Sequence, residues 1–180
     1  MWIRTGLSRE VNESVRIRTL GDPVLKERAR TVTVFDGKLA RLAAQMAEAM
    51  DREEGVGLAA TQVGVLSRVI VWRDPESEDE LYTFVNPLIT ERSEACSTLA
   101  EGCLSVPGAS VEVTRPDEVA VTAEDLQGGQ LQMRLSGFPA RIVQHEIDHL
   151  DGCLILDRTT AEERLRVLKE RRERTLVTDT

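Results

Sequence analysis

From Phe138 to Leu150 the chain reads FPARIVQHEIDHL, free of internal glycine, with Pro139 near its start and Asp151-Gly152 directly after it. Proline is tolerated in the first turn of a helix and glycine commonly follows the last, so this segment is predicted to be one helix. Within it, His145, Glu146 and His149 form a His-Glu-x-x-His pattern. Four residues is about one helical turn, so both imidazoles leave the same face and can meet one cation, with Glu146 beside an open coordination position. A pair of ordinary helix histidines is the plainer alternative, yet the chain has only 2 His and both fall in the motif. The metal reading leads. It also constrains the fold, because a further ligand has to be found beyond these two histidines.

A catalytic metal usually has three protein ligands and one open position, so a third ligand is required. The longer pattern His-Glu-x-x-His-x-x-Gly-x-x-His matches from His145 to Gly152, but Ile155 stands where its third His would be. Cys153 follows His149 by four residues, and on a continuing helix it would lie about 12 Å along the axis from His145, too far to share one ion. It reads better as a small residue packed beside Leu154 and Ile155. Cys103, in Glu101-Gly102-Cys103-Leu104-Ser105-Val106-Pro107, sits in a glycine- and proline-bounded turn that can present a thiolate and a backbone N–H to a cleft. Taken alone that context is modest evidence, and a nucleophilic Cys with a His partner would leave the second His and the Glu without a role. Cys96, between Ala95 and Ser97 in a strand-like approach, reads as structural.

The rest of the chain must build the frame. With 180 residues a single domain is favoured. Apolar residues make up 41% and charged residues 30%, a globular balance, but 2 Trp, 1 Tyr and 3 Phe leave an aliphatic core and few surfaces on which bases could stack. A net charge of -8 repels polyanions, so DNA is not an expected partner. No apolar run reaches the roughly 18 residues that would mark a membrane span. Met1 to Val15 carries Arg4, Arg9, Glu10 and Glu13 and has no apolar stretch of a secretory signal, so a cytoplasmic location is expected. Three Cys make a poor disulfide framework.

Leu39, Leu42, Ala43, Met46, Ala49 and Met50 recur at three- and four-residue spacing and predict an amphipathic helix over 37–54. Ile17 to Ala29 reads as an extended segment, a turn at Gly21-Asp22-Pro23 and a short helix capped by Asp22. Five short β-branched or alternating segments read as strands: 68–72, 82–86, 111–114, 119–123 and 131–135. Asp74 to Glu80 is an acidic hairpin loop, and Ala161 to Leu176 a highly charged C-terminal helix. Gly55 to Gly64, GVGLAATQVG, lacks the Lys-Ser/Thr ending of a phosphate-binding loop. By itself it is a small-residue loop with an exposed Gln62, whose glycines permit close backbone approach to a ligand.

Taken together, GVGLAATQ at 55–62, EGCLSVP at 101–107 and QHEIDHLDG at 144–152, in that order and spacing, resemble the three signature motifs of the peptide deformylase family. The segment IRTLGDPVLKERA is similar to the family's opening, and the likeness runs from about Val15 to about Asp157. The resemblance implies an α+β fold, with short antiparallel strands and sheets packed around a central metal-binding helix and a C-terminal helix following. It divides the chain into a leader over 1–14, a catalytic domain over 15–158 and a helical tail over 159–180. It further implies one divalent metal held by Cys103, His145 and His149, Fe(2+) in most bacterial members with Zn(2+), Ni(2+) or Co(2+) as substitutes. The reaction it implies is removal of the formyl group from N-formylmethionyl nascent peptides. Water attacks the formyl carbon, Glu146 takes its proton and passes it to the leaving amine, and Gln62 with the Leu104 N–H stabilises the oxyanion. Substrate lies like an added strand near Val56, Gly57 and the segment after Pro107, and Val56 and Ile142 are candidates for the methionine pocket.

Two positions depart from the pattern. Ser110 stands where many bacterial members carry Arg, with Arg115 nearby, and Pro139 stands where Leu is common. In the tail, Arg164, Arg166, Lys169, Arg171, Arg172 and Arg174 outnumber Glu162, Glu163, Glu170 and Glu173, which makes a ribosome contact through this helix an expectation. The alternative is a solvated helix that packs Leu165 and Leu168 on the domain and pairs its own charges. Two rival functions remain at this stage: a zincin-type peptidase using a downstream Glu such as Glu170 as third ligand, and a binding protein that keeps the fold without turnover.

Overall fold

Asp36 begins the first long helix, since its carboxylate accepts the backbone N–H groups of Lys38 (2.8 Å) and Leu39 (3.2 Å) that the helix start leaves unpaired. This helix, α1 (Gly37–Arg52), buries Leu39, Ala43, Met46, Ala49 and Met50 on one face, as its periodicity predicts. The computed structural model describes residues 15–178 apart from 76, 78 and 79. The leader over 1–14 and part of the acidic loop therefore lie outside the described residues. So do residues 179 and 180 of the tail.

Seven strands follow: β1 (Gly57–Ala59), β2 (Val69–Asp74), β3 (Glu80–Arg92), β4 (Cys96–Gly102), β5 (Ser110–Pro116), β6 (Glu118–Glu124) and β7 (Gln130–Ser136). All pair antiparallel, in a five-stranded sheet of order β1-β2-β3-β6-β7 and a separate hairpin of β4 and β5. Helix α2 (Gly137–Leu150) and helix α3 (Ala161–Thr178) complete the α+β fold. The apolar run Val69-Ile70-Val71-Trp72 explains the layering. Alternate side chains of a strand point to opposite faces. Val69 and Val71 pack with Met46, Met50 and Leu58 under α1, while Ile70 and Trp72 pack with Phe84, Ile142, Val143 and Leu150 under α2. The strand is sandwiched between helices, and α2 sits at the centre.

Several expectations needed adjusting. Gly55–Gly64 is no surface loop: it holds β1 and a short 3-10 turn, Ala60–Val63, and residues 57–63 are all buried. The strand read as 82–86 runs to Arg92, because Asn86 takes φ 51 and the register shifts between Val85 and Leu88, so the strand kinks at Asn86-Pro87 and continues. The Asn86 side chain ties the kink to Val32, accepting its N–H at 2.8 Å and donating to its carbonyl at 2.9 Å. The helix after Asp22 is a single 3-10 turn, Pro23–Lys26, capped by the Asp22 carboxylate as expected. Cys96 is exposed on β4, against its structural reading, and Cys153 is half-buried. On α3, Leu165 and Leu168 are exposed. Val167, 3% exposed, packs instead with Val106, Val111, Val113, Ile155 and Leu156.

Candidate active site and metal centre

The α2 helix is buried along most of its length and carries His145, Glu146 and His149 into the interior. It starts at Gly137, whose φ of 60 redirects the chain out of β7, and Pro139 lies in the first turn where its missing N–H breaks no helical bond. Facing it is the turn between β4 and β5, closed by a hydrogen bond from the Val106 N–H to the Cys103 carbonyl (2.9 Å). Together they bring Cys103 Sγ and the His145 and His149 nitrogens within 4.8 Å of one another. His149 Nε2 lies 3.2 Å from Cys103 Sγ and 3.2 Å from His145 Nε2. Three lone-pair donors crowded at this spacing suit a tetrahedral cation with one position left over, and a thiolate with two imidazoles fits Fe(2+) or Zn(2+) better than a hard ion such as Mg(2+). Among the described residues this is the one group that gathers such a ligand set. Glu170 is elsewhere on α3, accepting from Arg166 at 3.0 Å.

Each imidazole is set by its surroundings. His145 Nδ1 lies 3.0 Å from Glu101 Oε2, which leaves Nε2 directed at the cluster. Burial alone would push its pKa down, but Cys103, Glu101 and Glu146 outweigh burial and hold it well above the ordinary histidine value. Burial pushes His149 well below that value, aided by the charges of His145 and Arg115, and a neutral imidazole is the form that ligates. Its Nδ1 is buried without a partner among the described residues.

Glu101, 6% exposed at the end of β4, organises a charged network that the sequence reading did not identify. It accepts from Arg115 (2.6 and 2.9 Å) and Arg141 (2.7 Å) as well as facing His145. Burial would raise its pKa, but His145 and Arg115 bring it down to about 2. Arg115 also donates to Asp148 at 2.9 Å, and Asp148 accepts from Arg158. Arg115 is therefore committed beneath the site and does not replace a cleft arginine at Ser110. The available signal was Glu101 itself, two residues before Cys103 on the strand. Its partners are scattered through the chain and carry no local mark.

Glu146 lines a cleft of about 560 Å3 beside the cluster, shared with Cys103, His145, Gln62 and Leu104. Burial is the main cause that raises its carboxyl to about 7, and its Oε2 has no partner among the described residues. Gly57 makes room for it: a Cβ there would stand 2.5 Å from Glu146 Oε1. The missing side chain thus serves Glu146, a tighter role than general access for a ligand. Gln62, 1% exposed, accepts the Ala59 N–H at 2.8 Å and donates to Ser105 Oγ at 3.2 Å, so its amide is fixed with Nε2 3.9 Å from Cys103 Sγ. The Leu104 N–H gives no hydrogen bond to the described residues. Val56, exposed at 37%, and buried Ile142 both line the cleft, with Phe138 beside them. Each residue expected to be a ligand, a catalytic group or a substrate contact borders this cleft or the ligand cluster, whereas Ser110, Arg115, Pro139, Cys96, Cys153 and the tail helix do not, apart from the lip that the tail packs behind.

The family model described as "Polypeptide deformylase" matches residues 14–165. A peptide deformylase of Dictyoglomus thermophilum is 47% identical over 146 residues, 81% of this chain and 93% of the relative, and one of Natranaerobius thermophilus is 46% identical over 143 residues, 79% and 90% of the two chains. Among solved structures, the peptide deformylase of Thermotoga maritima superposes with a TM-score of 0.78 at 41% identity, covering 81% of this chain and 97% of its own. That of Synechococcus elongatus, in complex with actinonin, gives 0.83 at 36% identity and covers 87% of each chain. No helix among the described residues is long and apolar enough to cross a membrane. With a family match over most of its length and relatives well above the identity at which ancestry is secure, the chain belongs to the polypeptide deformylase family of metal-dependent hydrolases.

Proposed function

We propose that the chain removes the formyl group from N-formylmethionyl nascent peptides in the cytoplasm, using residues of 15–158 and a single Fe(2+) held by Cys103, His145 and His149, with Zn(2+), Ni(2+) or Co(2+) able to replace it. The observation that carries this reading is the convergence of Cys103 Sγ with two imidazole Nε2 atoms beside the unpartnered carboxylate oxygen of Glu146. When bound, the ion supplies a Lewis acid that polarises the formyl carbonyl and makes water acidic enough to attack.

The chain supplies the remaining parts. Glu146, poised near neutrality by burial, takes the attacking water's proton on its carboxylate and returns it to the leaving amine nitrogen. The Gln62 amide and the Leu104 N–H face the oxygen on which negative charge develops, and Gln62 is pre-set by its bonds to Ala59 and Ser105. Glu101 holds His145 in the tautomer whose Nε2 is the ligand. The peptide lies between the backbone of Val56 and Gly57 and the lip after Pro107, with the methionine side chain against Val56 and Ile142.

Contact with the ribosome is part of the same proposal, on narrower ground than charge counting implies. Arg166 and Arg171 bond to carbonyls of the domain, Arg164 lies 3.7 Å from Asp157 and Arg174 lies against Gly108 and 4.0 Å from Glu170, which leaves Lys169 and Arg172 as the outward cations of α3. The test of the activity is formate release from formyl-Met-Ala-Ser by metal-loaded protein, set against cleavage of the unformylated peptide. Formate without peptide cleavage is expected. Cleavage without formate would favour the zincin reading, and neither product would favour the binding protein.

A further inference from the structure

Pro107, Gly108 and Ala109 form one lip of the cleft. Their far side is covered by α3, since the same residues line a second cavity of about 240 Å3 with Val167, Glu170, Arg171 and Arg174. The lip is thus a thin wall between the cleft and the C-terminal helix. Its own bonding is sparse: Val106 donates to Cys103 and Ala109 donates to Val106 at 3.1 Å, with Gly108 at φ 73 between them.

The α3 helix supplies further bonds. Arg166 donates to the Ser110 carbonyl at 2.9 Å while Glu163 and Glu170 accept its other N–H groups, so its guanidinium is held in place. Arg174 lies against Gly108, closer than any Cβ at that position would permit. Arg171 donates to the Leu20 carbonyl at 2.6 Å, and Leu20 donates in turn to Ser105 in the same turn. A helix that needed charge only for hydration would turn its cations outward, and here three of them face the domain beside or behind the lip.

We infer that α3 is a brace for this lip, and that Arg166 and Arg174 are positioning residues for the peptide part of the substrate, an inference that rests on the deformylase reading for what the cleft holds. A loosened lip has to be ordered each time a peptide binds, which weakens binding. The Arg166 bond ends on Ser110, and Arg174 rests on Gly108, so neither touches Cys103 or Glu146. Their loss falls on KM and spares kcat. Val167 belongs to the apolar cluster against which both Cys103 and Ala109 pack, so its loss would mix the two effects.

The test uses full-length, metal-loaded protein carrying Arg166→Ala and Arg174→Ala. With formyl-Met-Ala-Ser, KM should rise about three- to tenfold while kcat stays within twofold and metal content is unchanged. Hydrogen exchange across 106–110 should quicken, a readout that needs no turnover. Arg166→Lys with Arg174 intact, which keeps one donor for Ser110, should recover most of the wild-type KM. KM within twofold of wild type, unchanged exchange in the lip, or a loss of metal content and kcat alongside the rise in KM would overturn the brace. Failure of the deformylase reading would show separately, as wild-type protein that releases no formate.

Discussion

Replacing Glu101 by Gln removes the anion that Arg115, Arg141 and His145 share. The side chain keeps its size and one acceptor oxygen, but an amide N–H group then faces donors that previously met an oxygen at 2.6 to 3.0 Å. Breaking a buried ion pair by removing one partner costs about 3–5 kcal/mol. The low end applies here, because Arg115 keeps Asp148, and Arg141 keeps the carbonyls of Val113 (2.9 Å) and Ser97 (2.7 Å). In a chain of this size about 3 kcal/mol lowers Tm by roughly 6–12 °C. The second consequence is local: His145 loses the acceptor that orients its ring, which lowers metal affinity by about 10- to 100-fold. Thermal unfolding of metal-depleted protein reads the first effect, and competition with a chelator reads the second. A Tm within 2 °C of wild type together with wild-type metal affinity would refute the view that Glu101 supports the site.

Cys103→Ser and His149→Ala should each lose tight metal binding and formate release together, since either removes one of three ligands; stoichiometric metal in the purified variant would contradict that assignment. Glu146→Gln should keep its metal and lose turnover by about 100-fold or more, whereas near-normal formate release would take Glu146 out of the mechanism. Gly152→Ala should destabilise the fold by about 1–3 kcal/mol, because Gly152 has φ 76 and a Cβ there would stand 2.6 Å from the Lys26 carbonyl oxygen, a backbone atom with little room to move. Chemical denaturation measures that loss, and an unchanged midpoint would show that the Lys26 segment yields.

The sequence alone determined what depends on near neighbours. Helices α1 and α2 were legible because their apolar or ligating residues recur at helical spacing, and the two-histidine face of α2 follows from a separation of four. The Asp22 cap was legible for the same reason, since its carboxylate accepts the N–H of Val24, two residues ahead. The likeness of the three motifs to a known family carried the fold class and the third ligand further than the residues did by themselves. Tertiary structure decided the rest. No local signal distinguishes a glycine-rich surface loop from the buried β1, whose small residues are enclosed because α2 and β2 press on them from outside the segment. The phase of α3 was misjudged for a related reason: Leu165 and Leu168 are the more apolar choices, but the groove offered by Val106, Val111 and Ile155 accepts Val167. Glu101, Arg115, Arg141 and Asp148 lie on two strands and one helix, and burial is tolerable for each only because the others are buried beside it. A charge network of that kind exists only once the chain has folded.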